Sequence, residues 1–321
     1  EIGTSKVWDF AEEFGLAKVV VVNGIDVENA KYEPILKDLK TTFGARFFPI
    51  NIPINPGPDY NEMFDVIRKA KLTYKTDNSG KYDEDKVDGE EGEQVDQLHT
   101  QLIELVAESD DTLLEKFFDE GITQEELRGG LHKAFQSKTF IPVFFTSSET
   151  NVGIARLMDF ISKYASSPDD HMETVAQNID GEEVTISLDD KEAAAFVFKT
   201  INESHIGELS FVKVLSSTLK SGEDIVNANT DEPQRLGQMF ILNGKNRDKV
   251  EHLNAGQIGA LFKLKNTHTG NTLTSPKHKV TVPPIEYPNP SIHEALKPKN
   301  KGDEDKISIG LAALHEEDPS F

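Results

Sequence analysis

Cysteine is absent from the 321 residues. That excludes disulfide scaffolds, thiolate zinc sites and cysteine nucleophiles. Long apolar runs are absent as well: the longest, Val19–Val22 and Phe140–Val143 continued by Phe144 and Phe145, are strand-sized. Neither approaches the ~18 residues that a membrane-spanning helix needs, and no signal peptide is recognisable at the start. Basic residues are outnumbered, 34 against 56 acidic ones, for a net charge of −22. Bulk charge therefore opposes sequence-independent binding to nucleic acid, which relies on clustered Lys and Arg at phosphates. A local basic face remains open to Lys263, Lys265 and the lysines between Lys277 and Lys306. The nine histidines form no H-E-x-x-H and no closely paired metal spacing, so surface or core roles are expected for them. Position 1 is Glu rather than Met, inside a segment that already reads as structured; the expectation is a piece of something longer, with a cytoplasmic address.

What is present suffices for a folded protein. Hydrophobic residues make up 37% and charged residues 28%, and at roughly 150 residues per domain the length suggests about two domains. Val7, Trp8, Ala11 and Phe14 recur at helical spacing before Gly15. Val19–Val22 then has the β-branched character of a parallel strand buried on both faces. A second helix is predicted near Pro34, carrying Ile35, Leu36, Leu39 and Phe43. Residues 46–138 read as a large insertion. Phe47–Ile54 is strand-like, Met63–Leu72 has helical spacing, and Asp77-Asn78-Ser79-Gly80 is a hairpin turn. Seven of the eleven residues from Asp83 to Glu93 are acidic. They are out of register for a calcium loop and fit a solvated hairpin edge. Three helices follow: Val95, Leu98, Leu102 and Leu105 on one face; Leu113, Leu114, Phe117 and Phe118 on another; and one opened by a Thr123/Glu126 capping box. Phe140–Phe145 returns as a buried strand, followed by a helix whose Ile154, Leu157, Met158 and Ile161 share a face. From about Val184 to Leu273 short β-rich runs (195–201, 209–215, 236–242 and 258–264) alternate with turn residues, the texture of a barrel or sandwich. A Pro-rich joint from Pro276 to Pro290 leads to a last helix with Ile307, Leu311 and Leu314.

The chemistry-bearing residues sit where strands end. Val22-Asn23-Gly24-Ile25-Asp26 follows the first strand, and ligands of open α/β sheets bind at the carboxyl ends of parallel strands. An Asn three residues before an Asp fits the N-K-x-D motif that reads guanine. The Asp carboxylate accepts two hydrogen bonds from the ring edge that adenine cannot supply, and a site built for such bonds rejects the wrong base by about 10⁴-fold. Alone, N-x-x-D also describes ordinary turn residues after a strand. It does not stand alone: after the second buried strand comes Thr146-Ser147-Ser148-Glu149, similar to the second guanine-contacting loop, usually Ser-Ala-x.

Several independent stretches now resemble elongation factor G, the translational GTPase family of ribosomal translocation. Ile141-Pro142-Val143, Ser147, Asn151-x-Gly153, Leu157-x-x-Phe160 and Ser167-Pro168 resemble the end of its GTPase domain. Leu102-Ile103-Glu104, Glu108-x-Asp110-Asp111 and Leu113-x-Glu115-Lys116 resemble the insertion within that domain. Ala195–Thr200, Thr218–Gly222 and Thr267-x-Thr269-Gly270-Asn271-Thr272-Leu273 resemble the second domain, a β-barrel. Gly302–Lys306 and Glu316–Phe321 resemble the opening of the third.

The resemblance implies a multidomain α/β plus β-barrel chain. Residues 1–172 would be the C-terminal part of a P-loop-GTPase-type domain with an α+β insertion at about 46–138, residues 173–279 the antiparallel barrel, and residues 280–321 the start of an α+β domain. It implies guanine reading by Asn23 and Asp26, helped by Ser147 and Ser148. It implies GTP or GDP as ligand, the ribosome (its RNA, its proteins and the stalk protein) as partner, and ribosome-stimulated GTP hydrolysis in the intact protein. This stretch should not hydrolyse GTP by itself. No G-x-x-x-x-G-K followed by Ser or Thr is present, nor a D-x-x-G-H, and phosphoryl transfer needs backbone amides, a Lys and Mg²⁺ around the phosphates. Those would lie upstream. Several positions depart from the family: Gly24 replaces the motif Lys, costing about 1 kcal/mol by analogy with cation–π contacts, Lys213, Leu215 and Ser217 stand where Arg, Tyr and Gly are usual, and Asn271 replaces Asp. They point to a divergent paralogue. Two alternatives stay open: a ribosome-binding factor with weak or no nucleotide dependence, and a ribosomal protection or release-type translational GTPase.

Overall fold

A run of apolar residues as long as Phe140–Phe145 must be covered on both sides, and it becomes the centre of a sheet. The computed structural model describes residues 2–44, 46–108, 110–119, 121–203, 207–298 and 302–321; the side chains of Asp111, Phe118, Asp119, Glu203, Glu304 and Asp305 also lie outside the described set, so the place of Phe118 on its helix face is not assigned. The chain forms two units, Glu1–Ser166 and Ser167–Phe321.

In chain order the first unit contains α1 (Ile2–Glu13), β1 (Val20–Asn23), α2 (Tyr32–Phe43), β2 (Phe47–Pro49), β3 (Asn51–Pro53), β4 (Glu62–Asp65), β5 (Ala70–Tyr74), β6 (Tyr82–Lys86), α3 (Gly89–Ala107), α4 (Asp111–Asp119), α5 (Gln124–Gln136), β7 (Ile141–Thr146) and α6 (Ile154–Tyr164). Strand β7 is buried at every position and lies between β1 and β2 in a parallel three-stranded sheet. Strand β1 is not buried on both faces, as its β-branched run predicts: Val20 and Val22 pack inward and Val21 is 41% exposed, because β1 is an edge strand with β7 as its only partner among the described residues. Helix α1 packs through Trp8, whose ring lies 4.5 Å from Phe43 and 5.6 Å from Phe47; Val7 and Phe14 of the same predicted stripe are exposed.

Residues 47–54 are not one strand. Phe47–Pro49 joins the parallel sheet, and Asn51–Pro53 turns into an antiparallel sheet of order β3-β4-β5-β6. Met63–Leu72 is not helical: it forms β4, a turn and most of β5. This sheet is covered on both sides, with Met63, Ala70 and Leu72 in one core and Phe64, Val66 and Ile67 in another. The hairpin at Asp77–Gly80 joins β5 to β6 with Tyr74 opposite Tyr82. Strand β6 is the acidic outer edge, a charged blunting of the kind that discourages further strand pairing. The capping box of α5 forms as the spacing predicts: the Glu126 N–H donates to Thr123 Oγ1 at 3.3 Å and the Thr123 N–H to Glu126 Oε2 at 3.0 Å. On α6 the buried residues are Arg156, Phe160 and Tyr164, whereas Met158 and Ile161, expected inward, are 60% and 44% exposed. The helix is rotated so that Arg156 reaches the Asp65 carboxylate, Nε to Oδ2 at 2.6 Å.

The second unit is mainly antiparallel. Eight strands pair in the order 232–235, 224–227, 272–274, 194–203, 207–216, 258–262, 239–243 and 246–250. The outermost two do not pair with each other among the described residues, so the expected barrel is an unclosed, barrel-like sheet. Its core includes Val197, Val212, Leu219, Leu261 and Leu273. Strands begin at Glu173, earlier than the sequence texture indicates: Glu173–Asn178 and Glu183–Ser187 form a three-stranded sheet with Val280–Thr281. Ser217, where the family that the sequence resembles usually has Gly, sits at φ 56°, a left-handed conformation that glycine adopts freely. The Asn271 Oδ1 accepts from Asn227 Nδ2 at 2.8 Å and from the His268 N–H at 3.0 Å, so Asn serves here as the acceptor an Asp would be. The last helix, α7 (Glu304–Glu317), docks through its C-terminal acids. Glu316 accepts from the Thr269 N–H at 3.1 Å and lies 2.7 Å from His268 Nδ1, and Glu317 accepts from the Asn202 N–H at 2.7 Å. Among the described residues no helix is long and apolar enough to cross a membrane.

Candidate guanine-reading loops

Parallel pairing puts the ends of β1 and β7 side by side, with Asn23 opposite Thr146. The loops that follow are neighbours for that reason. The Gly24 and Ile25 N–H groups both donate to the Thr146 carbonyl, at 2.9 and 3.2 Å, which curls the first loop over the strand end. Gly24 makes the curl possible at φ 88°. Ile25 is then buried as a plug, and the Gly57 N–H donates to its carbonyl at 2.9 Å.

Asn23 braces the two loops. Its Nδ2 donates to Ser148 Oγ at 2.9 Å, while its Oδ1 accepts from the Ser148 N–H at 2.8 Å and from Thr146 Oγ1 at 3.3 Å. Asp26 is half-buried, and its carboxylate makes no hydrogen bond or ion pair with the described residues. A half-buried carboxylate without partners retains its full capacity to accept from a ligand. Tyr60 lies near it; burial first, then Tyr74 and the Asp26 charge, push its hydroxyl pKa above the ordinary value, so it stays protonated and donates to the Phe145 carbonyl at 3.2 Å.

Ser147 behaves differently from Ser148. It is fully buried, pairs with Val152 through both backbone groups at 3.0 and 2.9 Å, and its Oγ accepts from the Thr150 N–H at 3.1 Å. It shapes the second loop from inside rather than facing a ligand. Asn151 at φ 60° and Gly153 at φ 81° close that loop; a Cβ at Gly153 would lie 3.0 Å from the Phe145 carbonyl oxygen. The structure thus brings Asn23, Asp26 and Ser148 to one rim and leaves Ser147 beneath it. The Ser148 N–H is committed to Asn23, and the next N–H along, that of Glu149, makes no hydrogen bond with the described residues.

Supporting residues carry no motif. Asn51, 1% exposed within an apolar stretch, donates from Nδ2 to the Phe145 carbonyl at 2.9 Å and accepts at Oδ1 from the Phe145 N–H at 2.8 Å. Its side chain substitutes for a strand partner at the end of β7. A lone Asn in an otherwise apolar run is the signal that could have flagged it, since a buried amide requires partners.

Residues 192–276 match the family described as Elongation factor G domain 2. Across its full length the chain is similar to a crystal structure of a protein from Thermus thermophilus, with a TM-score of 0.83 and 28% sequence identity, covering 100% of this chain and 46% of that one. The chain therefore spans less than half the length of that relative.

Proposed function

From a chain that is of the elongation factor G type, with the family's domain 2 at residues 192–276, we propose that residues 1–166 supply the base-reading half of a guanine-nucleotide site in a translation elongation factor that drives movement of tRNA and mRNA on the ribosome. The single observation that carries this reading is the rim made by Asn23, Asp26 and Ser148, with the Asp26 carboxylate unpartnered among the described residues. Guanine offers an N1–H and an exocyclic amine to that carboxylate; adenine offers no such pair. The Glu149 N–H, unbonded among the described residues, suits the base carbonyl. These residues suit a guanine, and the nucleotide's triphosphate and Mg²⁺ would be held by groups outside 1–321, where the chemistry of hydrolysis would also reside. The ribosome is the partner, with a cytoplasmic address.

Gly24 favours a second reading. A side chain there would meet nothing within 4 Å, so one face of a bound base lacks the cover that a Lys stem gives. A ribosome-binding paralogue with weak nucleotide dependence accounts for that opening. Fluorescence titration of GTP and GDP into the complete protein separates the two. Saturable micromolar binding supports the first reading; absent binding with ribosome association intact overturns it in favour of the second. Gly24→Lys places the added stem at φ 88°, at a backbone cost of about 1–2 kcal/mol, against a gain of about 1 kcal/mol over the base. We expect no net gain in affinity from it.

A further inference from the structure

The loop Ser147–Gly153 is tied to the antiparallel sheet β3–β6 before it, within it and after it. Before the loop, Asn51 of β3 pairs with both backbone groups of Phe145. After it, Arg156 on α6 pairs with Asp65 of β4, Nε to Oδ2 at 2.6 Å, both side chains nearly inaccessible. Within it, Asn151 meets the tip of the β5–β6 hairpin. Its Nδ2 donates to the Asn78 carbonyl at a long 3.4 Å. Gly80 approaches so closely that a Cβ there would lie 2.7 Å from the same nitrogen. Steric fit, more than the long hydrogen bond, sets the spacing at that contact, because a distance of 3.4 Å is near the limit of useful bonding.

The two buried ties fix the ends of the loop. The hairpin tip fixes its middle, where Asn151 and Gly153 both hold positive φ. Ser148, whose N–H and hydroxyl brace Asn23, lies in the span between the Phe145 tie and Asn151. We propose that the β3–β6 sheet is a positioning frame for the second base-reading loop, with the Asn78–Gly80 tip setting where the Ser148 and Glu149 amides point. Displacement of the hairpin, by a partner or by substitution, is then transmitted to the base site through Asn151. Asn51, Gly80 and Asn151 are positioning residues that act through Ser148. The proposal rests on the guanine reading above for its functional consequence, and on the three ties alone for its geometry.

Amide exchange and nucleotide binding test it separately. Gly80→Ala should accelerate exchange of the Ser148 and Val152 amides at least about fivefold in the 321-residue chain while leaving Leu72 and Val143, in the neighbouring strands, unchanged. In the complete protein it should weaken GDP binding about tenfold. Gly80→Ala combined with Asn151→Gly removes the colliding side chain at a position whose positive φ suits glycine but keeps the strain of an Ala at φ 70°; both readouts should recover the larger part of the way toward Asn151→Gly alone. Unchanged loop exchange, acceleration that spreads to Leu72 and Val143, or a defect that persists largely undiminished in the double variant overturns the frame. If exchange responds as expected but the wild-type protein binds no GDP, the frame stands and the guanine reading falls.

Discussion

Arg156→Met is the sharpest test of how the first unit is held together. The Arg156 and Asp65 side chains are 6% and 2% exposed and meet at 2.6 Å. The second Asp65 oxygen accepts from the Arg68 N–H at 2.9 Å, and Arg156 Nη1 donates to Asp159 Oδ2 at 2.6 Å. Burial penalises the Arg156 charge, yet the Asp65 carboxylate, together with Tyr82 and Asp159, outweighs that penalty and keeps its pKa above the ordinary value. Replacing Arg156 by Met fills similar space and strands a buried carboxylate with one backbone donor. Breaking a buried pair from one side costs about 3–5 kcal/mol, and for a unit of this size each kcal/mol shifts Tm by about 2–4 °C, so a fall of roughly 6–20 °C is expected. Scanning calorimetry of the chain should show that loss in one transition, with the antiparallel unit's transition unmoved. Arg156→Met combined with Asp65→Leu should recover much of it, because apolar replacement of both partners is often near neutral. A single-variant loss under about 1 kcal/mol would falsify the reasoning: water would then be compensating Asp65, and α6 would not be anchored by this pair.

Three further outcomes follow from local geometry. Ser217→Gly should raise the urea midpoint of the antiparallel unit by the equivalent of about 0.5–1 kcal/mol, the relief of a left-handed Ser less the added freedom of an unfolded Gly; a lower midpoint refutes it. The Glu126 carboxyl should titrate by NMR at about 2, well below its ordinary 4.5, because Lys116 and then the Thr123 N–H bond to its charged form. Since the folded pKa is depressed, the stabilisation it gives the start of α5 is present above about 4.5 and is lost as pH falls toward 2. Glu316→Ala should make residues 304–317 several-fold more sensitive to limited proteolysis, since it removes the acceptor for the Thr269 N–H and the His268 contact, together worth about 1 kcal/mol at this partly exposed position; unchanged cleavage would show that Glu317 or apolar packing holds α7.

Local signals were legible in the sequence and environments were not. The hairpin at Asp77–Gly80, the capping box at Thr123 and Glu126, and the central strand Ile141–Thr146 depend on a few adjacent residues, and all three form. Met63, Val66, Ile67 and Ala70 recur at true helical spacing, yet they lie in two strands and the turn between them. A sheet covered on both faces erases the alternation that normally identifies strands, so periodicity alone favoured the wrong element. On α6 the apolar stripe of Met158 and Ile161 was outvoted by Arg156, whose partner Asp65 lies 91 residues earlier. No local pattern announces a buried ion pair between segments that far apart.

The candidate base-reading loops show the same division at finer scale. Asn23 and Asp26 are singled out by their spacing at the end of a parallel strand, and Ser147 and Ser148 by resemblance to a second guanine-contacting loop. Spacing could not separate Ser148, which braces Asn23, from Ser147, which is buried and holds Val152 and Thr150. It also could not reveal that the Ser148 N–H is already bonded to Asn23, which leaves the Glu149 N–H as the next one unbonded among the described residues. Gly24 joins these points. The curl that commits the Gly24 and Ile25 N–H groups to the Thr146 carbonyl requires φ 88° at position 24, and glycine holds it without strain. In this chain the first loop is built around its glycine, so a Lys there would contend with the backbone before it could cover a base. Under the guanine reading proposed above, recognition would draw on Asp26, the Glu149 amide and the proposed frame behind them rather than on a stem across the ring.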